Sequence, residues 1–340
     1  MPYILIIGIS LIALVFSNFR YTKFSFHFIA MIFIYLASFR NETGTDWSEY
    51  YAIYNNSEYL QLKYFEPLYT YYVKLSDFLG FSFNTHLLFI YLPFYYSIYF
   101  FCIKIIEIDR QLPTFIFLSL VSILLWGAER QNIGQIFFFI ALISYSTGKL
   151  KTSLISSVIS SFWHIYFIPI TTIFLIKLYQ QNSLKIIYSL VFVLSILMVG
   201  YYDEIYQFIE LKLKRYEFVN IQYSTLIKSL LLLLIAEYLR RVSKEFNDNL
   251  HHIVYLILLF FVIASLVFPA YMQRVAFLQS LVSVLILNNF FNTIRIKIGF
   301  LTLSNDLLFN LSLIMYLLYT WINSFEFFNS FFVPYKSIHL

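Results

Sequence analysis

Apolar residues follow one another in long blocks along this chain, and polar residues gather in the short gaps between them. The blocks fall at roughly 2–17, 24–39, 84–106, 113–128, 132–147, 151–178, 184–201, 224–239, 251–268, 275–292 and 300–322. A helix crossing the ~30 Å hydrocarbon layer needs about 20 such residues at 1.5 Å rise, so the shorter blocks rely on flanking interfacial aromatics. Because a helix satisfies its own backbone polar groups in lipid, the pattern predicts an all-α, polytopic integral membrane helix bundle with about 10–12 transmembrane segments. Between Tyr64 and Gly80 the stretch YFEPLYTYYVKLSDFLG is amphipathic and carries Glu66, Lys74 and Asp77. It predicts an interfacial helix with Pro67 in its first turn.

One gap differs from the rest. FRNETGTDWSEYY, residues 39–51, crowds Arg40, Glu42, Asp46 and Glu49 between the second and third blocks. Composition supports the membrane reading: 60% of residues are hydrophobic, 22% aromatic and 12% charged, with a mean hydropathy of +0.75, outside the range of soluble domains. No polar linker or repeat divides the chain, so a single domain over 1–340 is expected, with an outer loop and interfacial helix at 40–80 and a second outer loop at 202–223. The first block reads as a retained helix rather than a secretory signal, since no basic residue precedes it and Arg20 and Lys23 follow it. A net charge of +5 without a basic tract excludes nucleic acid as a partner. The single cysteine, Cys102, excludes an internal disulfide.

Lysines and arginines set the orientation. With the amino end outside, the inner gaps hold Arg20 and Lys23, Lys104 and Arg110, Lys149 and Lys151, the stretch RRVSKEFNDNL at 240–250, and Arg295 and Lys297. Residues 151–178 have lysines at both ends, and as a single span they would invert every later basic loop. They fit as a broken pair that enters from inside and turns near His164 and Pro169.

On that topology Arg40, Arg130 and Arg274 stand where a helix meets the outer surface, and the loop 202–223 adds Lys212, Lys214 and Arg215. Snorkelling to headgroups explains any one of these arginines taken singly, and Glu129 offers Arg130 a neighbouring countercharge. Several arginines converging on one face point instead to phosphate, which a guanidinium binds bidentately. Gln131 and Gln135 lie four apart on one helical face and suit either sugar hydroxyls or helix packing. Asp46 and Glu66 are carboxylates able to take a proton from a hydroxyl, with Trp47 and many tyrosines around them as surfaces for sugar rings. The interfacial aromatic belt explains most of those tyrosines, and a turn or helix cap competes for Asp46. His27, His86, His251, His252 and His339 read as surface or interfacial. No D-x-D, His/Cys cluster or Gly-rich phosphate loop is present, so no metal or other cofactor is expected.

The succession R-N-E-T-G-T-D-W, F-E-P-L-Y, E-R-Q-N-I-G-Q, S-S-F-W-H-I-Y-F and Q-R-V-A-F resembles the EpsG family, relatives of the Wzy-type O-antigen and capsular polysaccharide polymerases, over roughly residues 35–290. By that resemblance the family's Arg-x-x-x-Gly-x-Asp element falls on Arg40, Gly44 and Asp46, and its Glu-Pro element on Glu66 and Pro67. The arginine opening a helix falls on Arg130, the helix-breaking histidine on His164 and the late arginine on Arg274. Two places depart from the family's pattern: Ile165, Tyr166 and Phe167 stand where small residues are expected, and Gly134 stands where alanine is frequent.

The resemblance implies a fold like that of the GT-C-like polysaccharide polymerases. It also implies glycosyl transfer at the outer face of a bacterial cytoplasmic membrane, between two undecaprenyl-pyrophosphate-linked oligosaccharides, with a chain-length regulator and a flippase as expected partners. Arg274, Arg130, Asp46 and His164 are then the expected catalytic groups, and Arg40, Glu66, Gln131, Gln135 and Arg215 the substrate-binding ones. Three alternatives remain open at this point: a metal-dependent membrane glycosyltransferase with Asp46 as ligand, a lipid-linked oligosaccharide flippase or exporter, and a glycan acyltransferase.

Overall fold

The structure is a computed structural model that describes residues 23–41, 46–56, 67–180, 223–242, 249–267, 276–293, 297–298, 301–302, 304–323 and 336–337. Its helices are α1 (Lys23–Ser38), α2 (Trp47–Asn55), α3 (Pro67–Phe78), α4 (Phe83–Ile105), α5 (Gln111–Ser122), α6 (Glu129–Ser146), α7 (Leu150–Trp163), α8 (Ile168–Gln180), α9 (Tyr223–Val242), α10 (Asn249–Val267), α11 (Ala276–Thr293) and α12 (Asn305–Asn323). Short 3-10 turns sit at Ile108–Arg110, Ile123–Leu125 and Ile165–Phe167. Two antiparallel ladders of two residues per strand complete the described structure. β1 (Arg40–Asn41) pairs with β4 (Lys336–Ser337), and β2 (Lys297–Ile298) with β3 (Leu301–Thr302). The all-helical expectation holds, and the helices follow the apolar blocks within a few residues. The blocks at 2–17 and 184–201 lie outside the described residues.

Helices α4, α6 and α7 form the centre, with α1 and α5 packed on α4, α8 folded back on α7, and α9 to α12 closing the other side. The shared core is largely aromatic: Phe33, Tyr91, Phe94, Tyr95, Phe101, Phe115, Phe117, Trp126 and Phe138 are all fully buried. The outward faces are apolar as well. On α1 the exposed positions are Phe24, Phe28, Met31 and Tyr35, and on α9 they include Ile227, Leu230, Leu231 and Leu234. A helix in water turns polar residues outward, so apolar outer stripes of this length fit a lipid environment. By length and composition α4, at 23 residues, is long and apolar enough to cross a bilayer, and shorter apolar helices run at Phe24–Ser38, Ile168–Lys177 and Leu250–Leu266.

Residues 150–180 form the expected broken pair. The helix stops at His164, whose extended backbone (φ −156°, ψ 124°) cannot continue it. After one 3-10 turn α8 runs back along α7, and Thr171 Oγ1 donates to the Ser157 carbonyl at 2.7 Å and lies 2.8 Å from Ser161 Oγ. Helices of 14 and 13 residues span about 20 Å each, less than the hydrocarbon thickness. The return brings Lys177 near Arg240, since both act electrostatically on His252.

The opposite chain turns meet at Arg110, which is buried. Its Nε donates to Asp306 at 2.8 Å, and its Nη1 donates to the Asn288 carbonyl at 2.7 Å and to Asn292 Oδ1 at 2.6 Å. The guanidinium lies 5.1 Å from the Phe309 ring centre, so it ties the start of α5 to the end of α11 and the start of α12.

Candidate functional site

At the other end of the bundle, the carboxy end of α1 and the amino ends of α2, α4 and α6 come together, and α3 lies across them. Arg40 follows α1 and is fully buried. Its Nη1 donates to the Ala37 carbonyl, and its guanidinium stands 5.1 Å from the Tyr91 ring centre on α4. A cation placed on the last carbonyls of a helix offsets the negative end of its dipole, which explains why an arginine is stable there. The β1–β4 ladder pairs the backbone of Arg40 with that of Ser337, so the carboxy-terminal segment reaches the same loop.

Asp46 occupies the amino-cap position of α2 without a side-chain cap hydrogen bond; the helix begins with the Tyr50 amide donating to the Asp46 carbonyl at 3.0 Å. The side chain is therefore not consumed by capping, and its charge acts on the Tyr50 phenol. Tyr50, Ile53 and Tyr54 face inward from α2. On α3 the buried positions are Tyr69, Thr70, Val73 and Ser76, a three-to-four spacing that turns one face onto the site. Tyr71, Leu75 and Phe78 are exposed on the other face, as expected of an interfacial helix opened by Pro67.

Gly127, at φ 110°, lets the chain turn from the 3-10 segment into α6, a conformation costly for any residue with a Cβ. The turn delivers Glu129 and Arg130 into the first turn of α6. Side chains adjacent in sequence on a helix diverge by about 100°, and these two take different partners. Arg130 Nε donates to Tyr50 Oη at 2.8 Å, and its guanidinium lies 5.7 Å and 5.9 Å from the Tyr50 and Tyr69 ring centres. Glu129 is fully buried. Its Oε2 accepts from Tyr69 Oη at 2.8 Å and lies 3.1 Å from His86 Nε2. The neighbouring carboxylate thus bonds Tyr69 and His86, contrary to its expected role as countercharge for Arg130. Burial pushes the Tyr50 phenol above its usual value, with Arg130 opposing, and burial together with Glu129 holds Tyr69 well above the usual phenol value. Both tyrosines remain neutral donors at physiological pH.

His86 corrects the sequence reading, which took it as surface or interfacial. It is fully buried, its Nδ1 lies 3.0 Å from Ser76 Oγ, and its ring packs 4.7 Å from Tyr72 and 4.9 Å from Tyr54. Its partner is 43 residues away, so no local spacing signals it. The signal available in the sequence was that Glu129 and Arg130, adjacent on one helix, cannot share a direction.

Further along α6, Gln131 and Gln135 are buried as their shared face predicts. Among the described residues, both amide atoms of Gln135 lack a hydrogen-bond partner, as does Glu129 Oε1. Asn132 Nδ2 reaches Tyr91 Oη at 3.4 Å.

His164 sits in the break between α7 and α8, nine-tenths buried, with its ring 4.3 Å from that of Tyr166. Its Nδ1 accepts the Tyr166 amide at 3.3 Å, which leaves the neutral ring's proton on Nε2. The adjoining Trp163 packs 5.9 Å from Tyr72 on α3, placing the break beside the interfacial helix.

Gly134 and Phe167 lie against each other. A Cβ added at Gly134 would stand 2.5 Å from Phe167 Cε2 and 3.0 Å from its Cδ2. The large Phe167 fills the space that glycine leaves. Ser160 Oγ donates to the Gly134 carbonyl at 2.7 Å, closing α7 onto α6 at the same level.

Arg40, Asp46, Arg130, Gln131 and Gln135 are thus brought to one end of α1, α2 and α6, with His164 at the neighbouring break. Glu66, Arg215 and Arg274 lie outside the described residues. Among known proteins, the pattern of the EpsG family matches residues 3–337, nearly the full chain. No curated protein and no solved structure matches.

Proposed function

The chain belongs to the EpsG family, which makes it a membrane protein of polysaccharide synthesis, and from that premise we propose that it is a polysaccharide polymerase. In this reading it is a multi-pass protein of the bacterial cytoplasmic membrane with its site facing outward. It moves a growing glycan from undecaprenyl pyrophosphate onto a second lipid-linked repeat unit. The sugar–phosphate C–O bond breaks, its electron pair leaves with the pyrophosphate, and a hydroxyl of the acceptor sugar forms the new glycosidic bond. Negative charge grows on the pyrophosphate as that bond breaks, and fixed positive charge aimed at it lowers the barrier. Arg130 and Arg274 are assigned that role, with Arg40 and Arg215 holding phosphate and His164 at the helix break. Gln131, Gln135 and Glu66 contact sugar hydroxyls. Arginines supply this charge without a metal, so the reaction is expected to tolerate chelators.

The observation that carries the reading is the setting of Arg130. Its guanidinium is oriented by the Tyr50 hydroxyl at 2.8 Å over two aromatic faces, while Glu129 bonds elsewhere. It stands in the first turn of α6, where the helix dipole also favours an anion. The test is the length ladder of surface polysaccharide in a deletion strain complemented with Arg130→Ala or Arg274→Ala. Each variant is expected in the membrane with the ladder lost or shortened. Full-length ladders from both would refute the arginine mechanism.

A further inference from the structure

The polymerase reading needs a group that takes the proton of the acceptor hydroxyl, and the buried cluster behind Arg130 has the features of one. Glu129 is 0% exposed. Among the described residues its Oε2 receives two donors, Tyr69 Oη at 2.8 Å and His86 Nε2 at 3.1 Å, and its Oε1 receives none. Buried polar atoms are nearly always hydrogen-bonded, so an unpaired carboxylate oxygen inside a protein calls for a ligand or water to supply the missing donor.

The rest of the cluster can accommodate a change of charge. Ser76 Oγ lies 3.0 Å from His86 Nδ1 and also 3.0 Å from the Tyr72 carbonyl, and its single proton serves one of them at a time. With the proton toward Nδ1, His86 is neutral and its Nε2–H donates to Glu129. With the proton toward Tyr72, Nδ1 carries its own proton and donates to Ser76. No donor of His86 or Ser76 is orphaned in either arrangement.

Resting on the proposed polymerase activity, we propose that Glu129 is the proton acceptor for the incoming sugar hydroxyl, with His86 and Tyr69 as its positioning residues and Asp46 confined to shaping the loop. The hydroxyl O–H bond breaks as its oxygen attacks the anomeric carbon. Its proton passes to Glu129 Oε1, and it returns to solvent or to the departing pyrophosphate once the glycan has moved. Among the described residues, the charged and titratable groups around the pair are Asp46, Tyr50 and Tyr54 at α2, Tyr69, Tyr72 and Asp77 from α3, Tyr91 from α4, Arg40 after α1 and Arg130 from α6.

The test uses the full-length protein in lipid nanodiscs with a lipid-linked repeat unit as substrate, followed across pH. Glu129→Gln keeps the size of the side chain and can still bond Tyr69 and His86. It is expected to slow polymerisation by about 10²–10⁴-fold, the range for a lost general base. It should also remove the decline in rate at falling pH that a general base is expected to give the wild type. Asp46→Asn should retain that decline. If Glu129→Gln fails to accumulate, His86→Asn, which keeps the bond to Ser76, decides by the same profile. A Glu129→Gln rate and profile like the wild type's would overturn the proposal and leave the polymerase reading intact. Absence of polymer from the wild type would overturn both.

Discussion

Gly134 and Phe167 offer a perturbation whose outcome follows from the geometry of the helix break. Gly134→Ala places a methyl group 2.5 Å from Phe167 Cε2 and 3.0 Å from Cδ2, with Ser160 O at 3.3 Å on the other side. Phe167 cannot swing away cheaply, being 1% exposed and packed 5.8 Å from the Phe138 ring. Overpacking of this kind costs about 1–3 kcal/mol, and the better helix propensity of alanine returns about 1 kcal/mol. Gly134→Ala alone is therefore expected to destabilise by about 0–2 kcal/mol. Phe167→Leu alone opens space beneath Phe138 and costs about 1–2 kcal/mol, below the range for full truncation of a buried phenylalanine.

Together the two changes relieve each other, so the double variant should be more stable than the sum predicts by about 1–2 kcal/mol. The assay is a double-mutant cycle from equilibrium denaturation of the purified protein in detergent. Additivity within about 0.5 kcal/mol, the behaviour of independent sites, would refute the claimed contact.

Other perturbations read different parts of the structure. Tyr50→Phe keeps the rings around Arg130 but removes the 2.8 Å bond to Nε; polymerisation should slow about 10-fold, equivalent to ~1.4 kcal/mol, and an unchanged ladder would show that Tyr50 does not orient the guanidinium. Loss of Arg130 or Arg274 should cost about 10²–10³-fold in the reconstituted reaction, as removal of a fixed charge at a developing anion does. Arg110→Ala should act on stability alone. It leaves the Asn288 carbonyl and Asn292 without their donor, while Glu107 and Asp306, at 52% and 38% side-chain exposure, stay solvated. A loss of about 2–3 kcal/mol with a normal ladder from the surviving protein is expected, and a shortened ladder would place that end of the bundle in the reaction. Polymer made at the same rate with and without a chelator is expected throughout.

Much of the architecture was legible because it depends on patterns local to the chain. Long apolar blocks predict α1 and α4 to α12, and the lysines flanking 151–178 predict the break at His164 through topology alone. The convergence of Arg40 and Arg130 follows from the same reasoning, since both stand where a block meets the same side. The pairing inside the site was not legible. His86 looks solitary in sequence because its partners Glu129 and Ser76 come from α6 and α3, joined only by packing. Glu129 beside Arg130 suggests an ion pair to a reader of the sequence, yet the helix turns the two apart. Whether the Asp46 side chain caps α2 was likewise not legible, since the position is a cap by backbone yet carries no side-chain cap hydrogen bond.

The central claim is that this protein joins repeat units rather than moving them across the membrane. It is tested most directly by extracting lipid-linked glycans from the outer leaflet of a deletion strain. The account predicts that single undecaprenyl-pyrophosphate-linked repeat units accumulate there, delivered but not polymerised. Their absence from the outer leaflet, with repeat units retained inside, would contradict it and identify a transporter.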